Sequence, residues 1–142
     1  MFDDQYRSQE SEDDRKRQTD IVFAFSAALH LDALQIGCNR HYDAVFIRRQ
    51  KPIALAEIKW RNHSFGRYAT LTIDKFKLDN LALAAHRQNV AAWLVVSWQG
   101  DIRYANVSDC SSFDTSEQQR HDRDERPDIV YHVPIKNFLR GD

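Results

Sequence analysis

Tyr42-Asp43-Ala44-Val45-Phe46-Ile47-Arg48 and Pro52-Ile53-Ala54-Leu55-Ala56-Glu57-Ile58-Lys59-Trp60 are two β-branched and apolar runs separated by the polar Arg49-Gln50-Lys51. Runs of this composition around a short polar break read as a β-hairpin. Side chains alternate faces along a strand. Asp43, Val45 and Ile47 therefore share one face, and Ile53, Leu55, Glu57 and Lys59 share one face of the next strand. A three-residue loop over Arg49, Gln50 and Lys51 pairs Arg48 with Pro52 and sets Asp43 opposite Glu57. A two-residue loop slips the register by one and sends Asp43 to the other face, unless a bulge compensates. The loop carries no Gly or Asn to fix its type.

Two carboxylates side by side on an otherwise apolar face repel each other and are costly to bury without a cation between them. Mg²⁺ suits such a pair, because it accepts one or two protein carboxylates, keeps several waters and takes further ligands from phosphate oxygens. Lys59 lies two residues beyond Glu57 on the same face, placed to orient an attacking water and to offset charge on a phosphodiester. The alternative is a strand end carrying a solvated Glu/Lys pair; the upstream Asp and the apolar strands on both sides favour the catalytic reading.

Asp43 followed by Glu57-Ile58-Lys59 resembles the PD-(D/E)XK nuclease superfamily. The text that follows is similar to small phage and prophage members: Phe65-Gly66-Arg67-Tyr68, then Thr70-Leu71-Thr72-Ile73-Asp74-Lys75-Phe76, then Ala92-Trp93-Leu94-Val95-Val96-Ser97-Trp98-Gln99-Gly100-Asp101. The resemblance spans residues 20–107. It implies an α/β, restriction-endonuclease-like core with a central mixed β-sheet flanked by helices in the order αβββαβ. It implies Asp43 and Glu57 as metal ligands, the Ile58 backbone carbonyl as a further ligand, Mg²⁺ as cofactor with Mn²⁺ able to substitute, and Lys59 assisting hydrolysis of DNA. The Pro of the family motif is replaced by Tyr42. The family's first acidic residue, on the preceding helix, is matched best by Asp20, with Glu12 and Asp13 as alternatives; helix capping competes with a metal role for Asp20.

With 142 residues, 42% hydrophobic and 29% charged, the chain fits one soluble domain over residues 1–142. It contains no apolar run long enough to span a bilayer, and its acidic start is unlike a signal peptide, so the expected location is the cytoplasm. Cys38 and Cys110 stand far apart and lack zinc-site spacing. A net charge of −1 argues against a tight, purely electrostatic grip on duplex DNA. Basic residues nonetheless gather around the proposed site: Lys59, Arg61, Arg67, Lys75 and Lys77. Arg61, Arg67, Tyr68, Thr70 and Lys75 are the candidates for contacting nucleic acid.

Residues 11–31 read as a helix with Ile21, Phe25, Ala28 and Leu29 at helical spacing, after a frayed stretch over 1–10. Residues 34–37 begin a short strand or turn. A second helix is expected over 72–86, with Thr72 as N-cap and Ile73, Phe76, Leu78, Leu81 and Leu83 on a wide apolar face. Lys75 would then sit in the first turn, against the helix dipole; a phosphate contact or an ion pair with Asp79 would account for it. Residues 90–98 form the most hydrophobic run and are expected as a central strand reached by a βαβ crossover. Gln99-Gly100-Asp101 turns the chain into a strand over 102–107. Residues 108–128 read as a long polar loop, either a substrate-clamping flap or a disordered insertion, before a strand over 129–135 and a terminal turn over 136–139. His41 and His63 flank the motif segments as candidate proton shuttles.

The reading that follows is a Mg²⁺-dependent deoxyribonuclease, structure-selective or weakly sequence-specific because no recognition module is visible. Homodimerisation is common among the relatives that cut two strands. The rivals are a nucleic-acid-binding protein on the same fold without cleavage, and a phage assembly, replication or recombination component whose partner contacts residues 108–128.

Overall fold

The computed structural model describes residues 12–36, 41–118 and 127–141. Helix α1 (Glu12–Leu29) precedes the strands β1 (Asp32–Gln35), β2 (Ala44–Arg48), β3 (Lys51–Arg61) and β4 (Thr70–Asp74). Helix α2 (Lys75–Arg87) then leads to β5 (Ala91–Trp98), β6 (Asp101–Asn106), β7 (Asp114–Gln118), β8 (Asp128–Pro134), a 3₁₀ turn (Ile135–Asn137) and β9 (Leu139–Arg140). Six strands form a mixed sheet in the order β1-β2-β3-β5-β6-β9, and three more form a second sheet in the order β4-β8-β7. β3 and β5 are parallel neighbours, as a βαβ crossover requires.

The hairpin forms, but not by the expected loop. Arg48 pairs with Lys51, so Arg49 and Gln50 alone make the turn, with φ of 51° and 69°. Two consecutive positive φ values define a type I′ turn, whose twist matches that of the flanking strands. The register is then restored by a bulge: Ile47 faces Pro52 whereas Phe46 faces Ala54, leaving Ile53 as the extra residue. Beyond it Ala44 faces Ala56, and Asp43 returns to the Glu57 side. The bulge also turns Ile53 toward the α1 cluster, away from the Leu55 face it was expected to share. Since an L-residue in the left-handed region costs about 1–2 kcal/mol, the double variant Arg49→Asn/Gln50→Gly should be more stable by roughly 1 kcal/mol. A urea midpoint that fails to rise would contradict the turn assignment.

α1 begins with Glu12, Asp13 and Asp14, three acids that complement the positive end of the helix dipole. Ile21, Val22 and Phe25 point inward to Phe46, Ala56, Ile58 and Val95 on one face of the large sheet. Phe25 meets Phe46, Trp93 and Tyr104 with ring centroids 5.1, 6.0 and 5.3 Å away. The helix stops at His30, which takes φ 55° while the Leu31 N–H reaches back to the Ser26 carbonyl at 2.8 Å. That is a Schellman stop made without glycine. α2 ends the same way at Asn89, with the Val90 N–H bonding the Ala85 carbonyl.

The opposite face of the large sheet is covered by α2 and the small sheet together, around Leu55, Leu78, Leu81, Leu94, Val96, Trp98 and Val133. Thr72 does not cap a helix: residues 70–74 are a strand paired with β8, Leu71 and Ile73 being buried by period-two alternation. The cap is Asp74, whose carboxylate accepts the Lys77 N–H. Phe76 and Leu83 accordingly fall outside the core, 73% and 47% exposed. The long loop expected over 108–128 is partly built, since residues 114–118 pair with β8 and Cys110 and Phe113 are buried at its base. The αβββαβ order is thus extended by the small sheet of β4, β8 and β7, by β6 and by the edge strand β9. Cys110 is a buried free thiol, and Cys38 lies outside the described residues. Among the described residues no helix is long and apolar enough to cross a membrane.

Candidate active site

β3 is the element that carries the site. Ile58 and Trp60 pack against the α1 side, so Glu57, Lys59 and Arg61 project from the other face toward the small sheet. Glu57 is only 7% exposed. Burial, and then the nearby Asp43 carboxylate, push its pKa from the ordinary carboxylate range up to about 7, against the pull of Lys59 and Lys77. The Lys59 Nζ lies 3.4 Å from Glu57 Oε2.

Asp43 precedes the first paired residue of β2. Its N–H donates to the Ala56 carbonyl at 2.8 Å, and its Oδ2 accepts the Ile58 N–H at 2.9 Å. A strand residue directs its N–H and its carbonyl to the same edge. The Ile58 carbonyl therefore faces the same edge as Asp43. Two carboxylates and a backbone carbonyl make an all-oxygen donor set suited to a hard divalent cation. Among the described residues no group of three or more His, Cys, Asp or Glu side chains comes together. Asp20 is not part of this arrangement: it is an exposed residue in the interior of α1, neither a cap nor a helix start, on the helix that covers the other face.

Beside the acidic pair, a cleft of about 350 Å³ is lined by Lys59, Arg61, Asp74, Lys77 and Asp128. Lys77, counted in the basic cluster but not among the residues expected to contact nucleic acid, lines this cleft. Lys75 instead opens α2, binds Asp79 at 2.6 Å and lies over the Tyr131 ring, an ion pair within the fold. Placing the cap at Asp74 is the signal that would have found Lys77, because it moves the second lysine to the helix entrance. Arg61 is half-committed: its guanidinium donates to the carbonyls of Trp60 at 2.9 Å and Thr72 at 3.0 Å, which ties β3 to β4. Thr70 starts β4, and Tyr68 and Arg67 sit together in the loop before it, the Arg67 guanidinium 5.5 Å from the tyrosine ring centre. His63 contacts Tyr68, whereas His41 is exposed near the start of β2.

The family described as "Phage putative PDDEXK endonuclease" matches residues 4–140. The chain belongs to that family. Asp43 and Glu57-Ile58-Lys59 resemble the letters in the name of this PDDEXK endonuclease family, with Tyr42 where its proline would stand. No curated protein matches the sequence. Among solved structures the chain is similar to Archaeoglobus fulgidus Hjc, a Holliday junction resolvase, at 13% identity and a TM-score of 0.58, over 87% of this chain and 95% of that one. It is also similar to D212, a nuclease from a fusellovirus, at 12% identity and a TM-score of 0.50, over 87% and 80% of the two chains. At such identities these likenesses concern the fold, which is the restriction-endonuclease-like one that the sequence suggested.

Proposed function

We propose that this PDDEXK family member is a Mg²⁺-dependent deoxyribonuclease, one catalytic domain over residues 1–142, with Asp43, Glu57 and the Ile58 carbonyl holding the metal and Lys59 serving the hydrolysis. The observation that carries the reading is the buried Glu57 beside Asp43, raised to about 7 and within 3.4 Å of the Lys59 ammonium. A buried carboxylate pair of this kind is stabilised by a cation more than by any other neighbour. Mg²⁺ would supply a lowered pKa for a water and neutralise charge on the phosphodiester.

The chain's own residues do the rest. Asp43 is fixed in orientation by the Ile58 amide, so the donor set is organised before substrate arrives. Lys59 holds its ammonium on the Glu57 side of the cleft, where it orients the attacking water and stabilises negative charge growing on the phosphoryl oxygens. Lys77 and Arg61 line the same cleft and bind the neighbouring phosphates. The Holliday junction resolvase and the viral nuclease that share the fold support DNA as the substrate. Mn²⁺, with similar ligand chemistry, would replace Mg²⁺.

Cleavage of supercoiled, linear, single-stranded and branched DNA with Mg²⁺, Mn²⁺ or EDTA tests the proposal. Metal-dependent cutting supports it, and no cutting of any form in any metal refutes it. The two lysines of α2 separate in the same system. Lys77→Ala should weaken DNA binding and reduce the salt dependence by about one unit of slope, as loss of one phosphate contact does. Lys75→Ala should leave both unchanged. The reverse pattern would return the phosphate role to Lys75.

A further inference from the structure

A second cleft, also of about 350 Å³, adjoins the catalytic one and shares Arg61 and Thr72 with it. Its walls are His63, Tyr68, Thr70, Trp98 and His132. Trp98 is almost wholly buried and is backed by the rings of Phe65 and Phe138 at 5.0 and 5.1 Å. The His132 Nε2 is held by a hydrogen bond with Ser116 Oγ at 2.7 Å. Tyr68 is braced. Its ring meets His63 edge-on at 4.9 Å and carries the Arg67 guanidinium, while the loop turns through Gly66 at φ +87°. Even so held, Tyr68 is 54% exposed.

The cleft therefore differs in chemistry from its neighbour. Aromatic and imidazole surfaces with a few hydroxyls at the edge suit a flat, uncharged ring with polar edges, whereas the adjoining cleft with Lys59, Lys77 and Arg61 suits phosphate. The size falls at the lower end of ligand clefts, which span roughly 300–1,000 Å³. Because Arg61 and Thr72 belong to both, a ring in one cleft and a phosphate in the other can come from the same strand.

We propose that the His63, Tyr68 and Trp98 cleft is a subsite for an unpaired nucleobase next to the scissile phosphate, with Tyr68 as its stacking platform. A paired base is held in its duplex stack and cannot enter, so the subsite selects DNA with an unpaired nucleotide near the cut. This rests on the nuclease reading of the adjoining cleft and names the substrate class for it. Tyr68 acts through its ring and Thr70 through its hydroxyl at the edge of the subsite.

Fluorescence anisotropy in EDTA, with the full chain, measures binding to three labelled DNAs: a paired duplex, the duplex with one unpaired nucleotide, and the latter with an abasic residue at the unpaired position. The expected result is a preference for the unpaired nucleotide on the order of tenfold, from the usual strength of one base–aromatic stack. The preference is lost with the abasic DNA, lost in Tyr68→Ala and kept in Tyr68→Phe. Equal binding of paired and unpaired DNA by the wild type, a preference that survives Tyr68→Ala, or no binding to any of the three would overturn it. A parallel assay with Mg²⁺ separates the two ideas. Cutting without base preference rejects the subsite alone, and base preference without cutting rejects the nuclease reading while supporting the subsite.

Discussion

Glu57→Gln is expected to lower metal-dependent DNA cleavage by at least about 10³-fold, the scale on which single preorganised charge-stabilising groups act, and at the same time to raise the melting temperature of the metal-free protein at pH 8. The two effects have one cause. At that pH the Glu57 carboxyl is ionised inside the fold although burial and Asp43 oppose it. A shift from 4.5 to about 7 corresponds to a strain on the order of 3 kcal/mol, and an isosteric neutral amide relieves much of it. Lys59→Ala should reduce cleavage by about 10²–10³-fold without that gain, since removing the ammonium 3.4 Å away takes a favourable neighbour from Glu57. Cleavage rates and thermal melts of the three proteins decide the matter. A Glu57→Gln protein that cuts normally would take Glu57 out of the proposed metal site, and one that melts earlier at pH 8 would show that its buried carboxylate is not strained.

Metal binding should be coupled to proton release, and its pH dependence follows from the same carboxyl. Its folded pKa lies above its unfolded value, so the unfolded chain binds fewer protons between about 4.5 and 7. Metal-free stability therefore falls as pH rises through that window and levels off above it. A divalent cation requires the ionised form. Its apparent affinity should drop by close to tenfold for each pH unit below about 7, and stabilisation by saturating Mg²⁺ should be large at pH 8 and small at pH 5.5. Titration calorimetry in buffers of different ionisation enthalpy would count the proton directly. Release of no proton at pH 6 would mean that Glu57 is already ionised and that its burial is compensated by something other than the metal.

The geometry of the candidate site was more legible than the architecture around it. Asp43, Glu57 and Lys59 could be placed on one face because alternation along a strand is strict, and the structure puts them there. The turn that aligns them could not be read, because Arg49 and Gln50 are not residues that prefer positive φ. Residues 72–74 belong to β4 and not to the expected helix for a related reason: Thr72 and Asp74 are both good N-caps, and only pairing with β8, distant in sequence, decides between them. The same distance hid β7, whose five residues are all exposed and show no apolar alternation. Asp20, which the family pattern suggested, stands exposed on α1.

The two-residue turn and the extra Ile53 act on the acidic pair like two errors that cancel. Each alone reverses the parity of the hairpin and would send Asp43 and Glu57 to opposite faces of the sheet; together they restore it. A change of length at one of the two places therefore keeps the carboxylates together only with a compensating change at the other. A relative with one more residue in the turn can keep the two carboxylates on one face by dropping the bulge, whereas a change of one residue at either place, taken singly, parts them.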